Sequence, residues 1–216
     1  MQSIVTLTMN PTIDKSTSIN NVVPERKLRC RSPRYEPGGG GINVSRAIHK
    51  LGGESSAFYL AGGELGRMLG HLLDEERLNH HPSKIQVLTR QNLTVYEEST
   101  GQQFRFGMPG PEVNQKECSE LLDTLSRLDP APGYIVASGS LPAGVPKDFY
   151  ARVAKCAKDL GARMIVDTSG EAFSFAVEEG VYLIKPNLRE LGDLRGAEIE
   201  EESEQEALAR EIIERG

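Results

Sequence analysis

Short apolar runs alternate along the chain with stretches of helical spacing. The runs that indicate buried strands are Ile4–Thr8, Ala57–Leu60, Tyr134–Ala137, Met164–Asp167 and Tyr182–Ile184. Helical spacing joins Phe149, Val153, Cys156 and Leu160, and it also joins Leu121, Leu125 and Leu128. Strand and helix alternating at short intervals predicts an α/β fold, with a doubly wound, mostly parallel sheet flanked by helices.

Two segments interrupt this alternation. The segment Lys15–Tyr35 is polar and β-branched without a helical period, and Thr94–Glu98 and Gln102–Phe106 flank Ser99-Thr100-Gly101 like a hairpin. Neither segment has enough apolar residues for a core of its own. We therefore expect a main α/β domain of residues 1–14, 36–90 and 109–216, and a small projecting β-sheet of residues 15–35 and 91–108.

Four consecutive glycines, Gly38 to Gly41, lead directly into the apolar, helix-like stretch that begins at Ile42. Each glycine costs backbone entropy on folding and adds no packing side chain, so the run indicates backbone that must approach something closely. Bare amides at a helix N-terminus favour a polar or anionic group, and Asn43 adds a side chain that can donate and accept. The alternative interpretation is a flexible surface loop.

Composition limits the classes of function. The net charge of −6 argues against non-specific binding of nucleic acid. Cys30, Cys118 and Cys156 are too few and too scattered for a disulfide framework or a Cys-x-x-Cys metal site, which predicts a reducing, cytoplasmic location. No apolar run reaches transmembrane length and no signal peptide is visible, so we expect no membrane partner.

Polar residues follow several predicted strands, where a sheet of this kind binds its ligands. Asp14 comes soon after the first strand, and its carboxylate can accept hydrogen bonds from a ligand, although a turn or a helix cap would also suit it. Asn187 and Glu190, which follow Lys185-Pro186, have the spacing of a helix capping box.

Three other features of the sequence indicate no binding site. Ala61–Gly66 approaches a dinucleotide fingerprint, but no acidic residue ends the following strand near Val87. The pair His80-His81 has no clustered Asp, Glu or Cys and is interpreted as a solvated loop. The acidic run Glu198–Glu206 is interpreted as the exposed start of a terminal helix.

Several strings in this order resemble the ribokinase-like, or PfkB, carbohydrate kinases, most closely the branch that acts on fructose 6-phosphate. The glycine run matches the first signature of that family, from Glu36 to Ala47 and on through Leu51-Gly52-Gly53. The other strings are Lys27–Cys30, Thr89–Leu93, Phe104–Phe106, Ser138–Pro142 and Lys185–Asn187. These strings are distributed along nearly the whole chain, so the resemblance extends over almost all of it.

The resemblance implies phosphorylation of a sugar phosphate by ATP with Mg²⁺, most specifically fructose 6-phosphate to fructose 1,6-bisphosphate in glycolysis. The substrate-binding residues that it implies are Asp14, Lys27, Arg29, Gly38, Gly39, Gly40, Asn43, Arg90, Arg105, Ser138 and Gly139. It further implies that Lys185 and Asn187 bind the nucleotide, that Asn187 and Glu190 bind the metal, and that two copies form a homodimer through the β-sheet lid. Lys27, Arg29, Arg90 and Arg105 would bind the substrate phosphate, although basic residues on exposed strands also discourage edge pairing.

The second signature of the family, an Asp followed by Gly-Ala-Gly-Asp, does not occur in these 216 residues. We therefore expect a chain that is truncated before its catalytic base and is inactive alone, with no catalytic residue assigned within it. Alternatives within the class are kinases of tagatose 6-phosphate or fructose 1-phosphate. From other classes, a non-catalytic sugar-phosphate-binding fragment and, more remotely, a dehydrogenase stay open.

Overall fold

A computed structural model describes residues 3–197 and 201–214. The strands are β1 (Ile4–Thr8), β2 (Thr12–Ile19), β3 (Arg34–Gly38), β4 (Ser56–Ala61), β5 (Asn79–Lys84), β6 (Arg90–Glu97), β7 (Gln103–Phe106), β8 (Tyr134–Ser138), β9 (Arg163–Asp167) and β10 (Leu183–Ile184). The helices are α1 (Gly40–Lys50), α2 (Gly63–Glu75), α3 (Gln115–Ser126), α4 (Phe149–Asp159), α5 (Glu171–Glu179), α6 (Leu188–Arg195) and α7 (Glu202–Glu214).

The main sheet has six strands in the order β10-β9-β8-β1-β4-β5, and every neighbouring pair is parallel. All five strands predicted from apolar runs are present in it, with ends within one residue of the prediction. Strands at the centre of a parallel sheet are covered on both faces, which explains why they are short continuous apolar runs. The predicted α/β fold is confirmed.

The two faces of β1 meet different partners. Val5, Leu7 and residues of β8 and β9 pack with α3, α4 and α5 in one apolar cluster. Thr6 and Thr8 point to the other face, where the Thr6 hydroxyl lies 2.8 Å from that of Ser45 on α1. Small polar side chains on this face let α1 approach β1 closely, and this closeness places the N-terminus of α1 at the carboxyl end of the strand.

The second sheet has the order β3-β2-β6-β7. β2 pairs in parallel with β6, whereas β2–β3 and β6–β7 are antiparallel, and the predicted hairpin turns at Ser99–Gly101. Its strands begin earlier than expected, at Thr12 and Arg90, and β3 continues to Gly38. The division into two domains stays a prediction. Gly38, the first residue of the glycine run, is the last residue of β3.

The interpretation of His80-His81 as a solvated loop is wrong. Both residues lie in β5, the edge strand of the main sheet. His80 Nδ1 is 2.9 Å from the Tyr59 hydroxyl, and His80 Nε2 is 3.0 Å from Asp74 Oδ1, while the ring of His81 stacks on Phe58. The sequence concealed this strand because Asn79-His80-His81-Pro82-Ser83-Lys84 is polar throughout, and Asp74 reaches it from the preceding helix.

At the C-terminal end, α7 begins at Glu202, so the predicted acidic helix start is confirmed there, while positions 198–200 lie outside the described residues. In the part of the chain that the structure describes, no helix is long and apolar enough to span a membrane.

Candidate active site

The glycine run connects β3 of the second sheet to helix α1 through a single residue. Gly38 ends β3 and Gly40 begins α1, so Gly39 alone lies between them, with φ of 120°. Such a positive φ is accessible to glycine at little cost. The flexible-loop interpretation is therefore wrong.

Close packing accounts for the next two glycines. A Cβ on Gly40 would lie 2.3 Å from Ser138 Oγ, and one on Gly41 would lie 2.4 Å from the carbonyl oxygen of Leu7. The first turn of α1 thus rests on the backbone ends of β8 and β1. The Ile42 amide donates to Thr8 Oγ1 at 2.9 Å. The amides of Gly40 and Gly41 precede it in the first turn of α1, where a helix offers no intrahelical acceptor.

Asp14 lies within β2, so the turn and cap interpretations are wrong. Its Oδ1 accepts a hydrogen bond from Asn92 Nδ2 at 3.2 Å, and a Cβ on Gly38 would lie 2.1 Å from its Oδ2. Gly38 therefore leaves the space that the Asp14 carboxylate occupies. Asn92, whose Oδ1 accepts from the Met108 amide at 3.0 Å, was missing from the predicted candidates, although β2–β6 pairing places it opposite Asp14.

Arg90 is half-buried at the start of β6. Its Nη1 donates to the Met108 carbonyl and its Nη2 to the Asn10 carbonyl, each at 3.1 Å. Burial lowers the pKa of Arg90, and the Asp14 carboxylate opposes that shift. Arg90 Nε and Asn10 Oδ1 are buried with no hydrogen-bond partner among the described residues. Such orphaned polar atoms are costly in a finished interior and are typical of a site that binds a ligand or water.

The other predicted phosphate ligands are not joined to this group. Lys27 and Arg29 are exposed in the segment between β2 and β3, and Arg105 is exposed on β7, where its Nη2 donates to Gln103 Oε1 at 3.1 Å. Their substrate roles stay predictions.

A second polar group lies on the other side of the glycine run, at the carboxyl ends of β8 and β9. Ser138 Oγ donates to Asp167 Oδ2 at 3.0 Å, and Lys185 Nζ lies 3.2 Å from Asp167 Oδ1. Gly139, at φ of 108°, presents a carbonyl that accepts from Tyr150 and Thr168 hydroxyls. Burial raises the pKa of Tyr150, so it remains a hydrogen-bond donor. Asp167 joins this group. The sequence places it at the end of an apolar strand, where such a sheet binds ligands, but assigns it no role in the site.

Asn187 and Glu190 form the predicted capping box of α6. Asn187 Oδ1 accepts from the Glu190 amide and Glu190 Oε2 accepts from the Asn187 amide, both at 2.9 Å. Asn114 and Glu117 form the same box at the start of α3, far along the chain from the site. The local capping role is confirmed, and the predicted metal role stays a prediction.

The structure thus orders the candidate residues in one line. Asp14 lies beside Gly38, Gly40 packs on Ser138, and Ser138 bonds Asp167, which pairs with Lys185. The N-terminus of α1 lies between the Asp14 carboxylate, which interacts with Arg90, and the pair of Asp167 with Lys185. This arrangement suits a polar substrate at Asp14 and anionic groups at the α1 amides and Lys185.

Comparison with known proteins agrees with this geometry. The chain is 44% identical over 213 residues to the ATP-dependent 6-phosphofructokinase isozyme 2 of Mycobacterium tuberculosis, covering 99% of this chain and 62% of that protein. It is 41% identical over 217 residues to the isozyme of the same name from Escherichia coli, covering 100% and 70%. A 1-phosphofructokinase of Bacillus subtilis is 30% identical over 213 residues, covering 99% and 69%.

Solved structures of phosphofructokinases are also similar to this chain. The E. coli phosphofructokinase-2 in complex with fructose-6-phosphate superposes with a TM-score of 0.94 at 41% identity, covering 100% of this chain and 71% of that one. A tetrameric inhibited form of that enzyme matches with the same score, identity and coverage. The chain spans about 62% of the length of its M. tuberculosis relative. The pattern of the pfkB family carbohydrate kinases matches residues 3–216, and the chain belongs to that family.

Proposed function

We propose that the protein carrying this chain transfers the γ-phosphate of ATP to fructose 6-phosphate and forms fructose 1,6-bisphosphate. The observation that supports this most is the line of contacts from Asp14 through Gly38 and Gly40 to Asp167 and Lys185. It offers a hydroxyl-binding carboxylate at one end and a phosphate-binding cation at the other. The greater identity to 6-phosphofructokinases, 41–44% against 30% for the 1-phosphofructokinase, favours fructose 6-phosphate among the sugar phosphates.

In this proposal the residues of the chain bind and orient both substrates. Asp14 accepts hydrogen bonds from sugar hydroxyls, the Asn92 amide can accept from them or donate to them, and Arg90 binds the sugar phosphate. The free hydroxyl oxygen attacks the γ-phosphorus, the bond from that phosphorus to the bridging oxygen of ADP breaks, and the hydroxyl proton passes to a base that we do not assign within residues 3–197 and 201–214. Positioning and charge neutralisation account for most of the catalysis of such transfers.

In this proposal Lys185 binds the phosphates of the nucleotide. Its side chain is 75% exposed and its pair with Asp167 is open to solvent. An exposed pair of this kind is worth only about 0–1 kcal/mol. Lys185 can therefore leave Asp167 for an incoming phosphate at little cost.

Mg²⁺ fits the oxygen donors of Asn187 and Glu190. The capping box uses Glu190 Oε2, which leaves Oε1 free to accept from a metal-bound water. Among the described residues, no group of three or more His, Cys, Asp or Glu side chains could bind a metal by itself. Mg²⁺ usually keeps several of its waters and takes its other ligands from one or two protein oxygens and from substrate phosphates. Asn187 and Glu190 could supply those protein oxygens. When bound, Mg²⁺ would neutralise charge on those phosphates.

The predicted homodimer through the second sheet and the cytoplasmic location stay predictions. Tyr96, Phe106 and Met108 of the second sheet and its following loop expose large apolar side chains, which supports an interface there.

The proposed reaction predicts a strong preference for a phosphorylated sugar. In an ADP-release assay, fructose 6-phosphate is expected to give a kcat/KM more than about 100-fold above that of fructose, because each lost charge-assisted hydrogen bond costs roughly 10- to 150-fold. Fructose 1-phosphate and tagatose 6-phosphate are assayed in parallel. A preference for unphosphorylated fructose or ribose would contradict the proposal, and a preference for either other sugar phosphate would reassign the substrate.

Glu190→Gln separates the metal role from the capping role. Gln retains the capping hydrogen bond but loses the charge, so a magnesium titration is expected to require roughly 10–100-fold more Mg²⁺ for half-maximal rate. Thermal stability should change little. The matched control is Glu117→Gln in the other capping box, which should leave the magnesium requirement unchanged. Glu117 also accepts a hydrogen bond from the Gln86 amide, so this control variant is expected to lose some stability. Identical magnesium dependence in Glu190→Gln and wild type would leave Glu190 with a capping role only.

A further inference from the structure

Arg46 joins three elements behind the glycine run. Its Nε and Nη2 donate to the two carboxylate oxygens of Glu76, at the end of α2, at 2.7 Å each. Its Nη1 donates to the Pro37 carbonyl at 3.1 Å and to Asn43 Oδ1 at 3.4 Å, and Glu36 Oε1 lies 3.7 Å from Nη2. One guanidinium therefore ties α1 to both α2 and β3.

This pair differs from the ordinary surface pairs of the chain. Arg67–Glu64 and Arg152–Asp148 are exposed and link neighbouring turns of one helix. Arg46 is only 17% exposed and its partner Glu76 is 30 residues away in sequence. The hydrogen bonds to Glu76 raise the pKa of Arg46, so it stays charged. A bidentate, partly buried fork of this kind cannot be reproduced by the single ammonium of lysine.

Arg46 binds the carbonyl of Pro37, the residue that directly precedes the glycine run. Gly38 follows directly and leaves the space for the Asp14 carboxylate. In the β2–β3 register, Glu36 lies opposite Asp14 and Pro37 lies opposite Ile13. The carbonyl that Arg46 binds thus belongs to the strand end that sets the distance between Asp14 and the first amides of α1.

We propose that Arg46 is a positioning residue for the sugar site: with Glu76 it holds the Glu36–Gly38 strand end against α1, so that Asp14 and the glycine amides face the same ligand. The inference rests on the proposed function for the identity of the ligand. It makes no use of a direct contact between Arg46 and substrate. It also assigns a role to Glu76, which lies on a helix that carries none of the candidate site residues.

The test compares Arg46→Lys and Glu76→Gln with Arg67→Lys, whose exposed pair on α2 serves as the matched control. We expect both test variants to raise the KM for fructose 6-phosphate by roughly tenfold or more, with kcat and the KM for ATP within about twofold of wild type. Arg67→Lys should match wild type. Amide hydrogen exchange provides a second measurement that needs no substrate: a peptide covering residues 35–46 should exchange faster in both test variants, while one covering α4 should not.

A sugar KM that stays at the wild-type value in Arg46→Lys and Glu76→Gln would overturn the proposal. So would faster exchange in α4 as well as in residues 35–46, because that indicates general destabilisation. Wild-type protein that neither binds nor phosphorylates fructose 6-phosphate would overturn the proposed function instead, a result visible before any variant is made.

Discussion

Gly41→Ala is expected to lower the midpoint of thermal unfolding by roughly 6–12 °C. The added Cβ would lie 2.4 Å from the carbonyl oxygen of Leu7 and 2.7 Å from Thr8 Oγ1. β1 is paired on both sides in the centre of the sheet and cannot move away. Forcing α1 outward costs about 3 kcal/mol, the upper range for overpacking. For a chain of this size, each kcal/mol corresponds to about 2–4 °C.

Gly107→Ala is the control for this prediction. A Cβ on Gly107 meets no atom within 4 Å, and its backbone does not need a positive φ. Its stability should stay within about 0.5 kcal/mol of wild type. Calorimetry or circular dichroism on both variants measures the difference. Equal midpoints in Gly41→Ala and Gly107→Ala would show that α1 does not pack on β1 as closely as described.

Arg90→Ala is expected to reduce both stability and affinity for the sugar phosphate. The guanidinium donates to the carbonyls of Asn10 and Met108, so truncation leaves two acceptors without their donor. Hydrogen bonds to charged groups contribute about 1.5–3 kcal/mol each, and we expect a combined loss of about 2–4 kcal/mol because such terms do not add fully. The apparent KM for fructose 6-phosphate should rise roughly 10- to 150-fold if Arg90 also binds the phosphate.

Arg105→Ala separates these two effects. Arg105 is exposed and bonds only Gln103 among the described residues, so its loss should leave the melting midpoint unchanged. A higher sugar KM in Arg105→Ala would then report a lost phosphate contact alone. Arg90→Ala protein that is folded at the assay temperature and has a wild-type KM would remove Arg90 from the substrate site and leave it a structural residue.

Much of the fold could be predicted from the sequence because its signals are local. Ile4–Thr8 and Tyr134–Ala137 are apolar without interruption, and in a parallel sheet covered on both faces this pattern identifies a strand. Asn187 and Glu190 form a capping box three residues apart, which any helix beginning there would use. The turn at Gly101, between the strand-like segments Thr94–Glu98 and Gln102–Phe106, likewise needs no distant partner.

Contacts between residues distant in sequence could not be predicted in this way. The polar strand β5 forms because β4 offers it an open edge, and its composition carries no strand signal. From sequence, Arg90 is predicted to bind the substrate phosphate, with an exposed strand residue as the alternative, and nothing in the sequence indicates that it bonds a carbonyl 80 residues away. Asp167 becomes part of the site only because β8 and β9 end side by side.

The glycine run shows where the two kinds of information meet. The sequence by itself predicted that the backbone of Gly38–Gly41 approaches something closely, because four adjacent glycines cost entropy and add no packing side chain, and it left a flexible loop as the alternative. Only the tertiary structure decided what is approached: Asp14 by Gly38, Ser138 by Gly40 and Leu7 by Gly41. The reason is physical, since these neighbours come from three strands in two different sheets and come together only when both sheets are assembled.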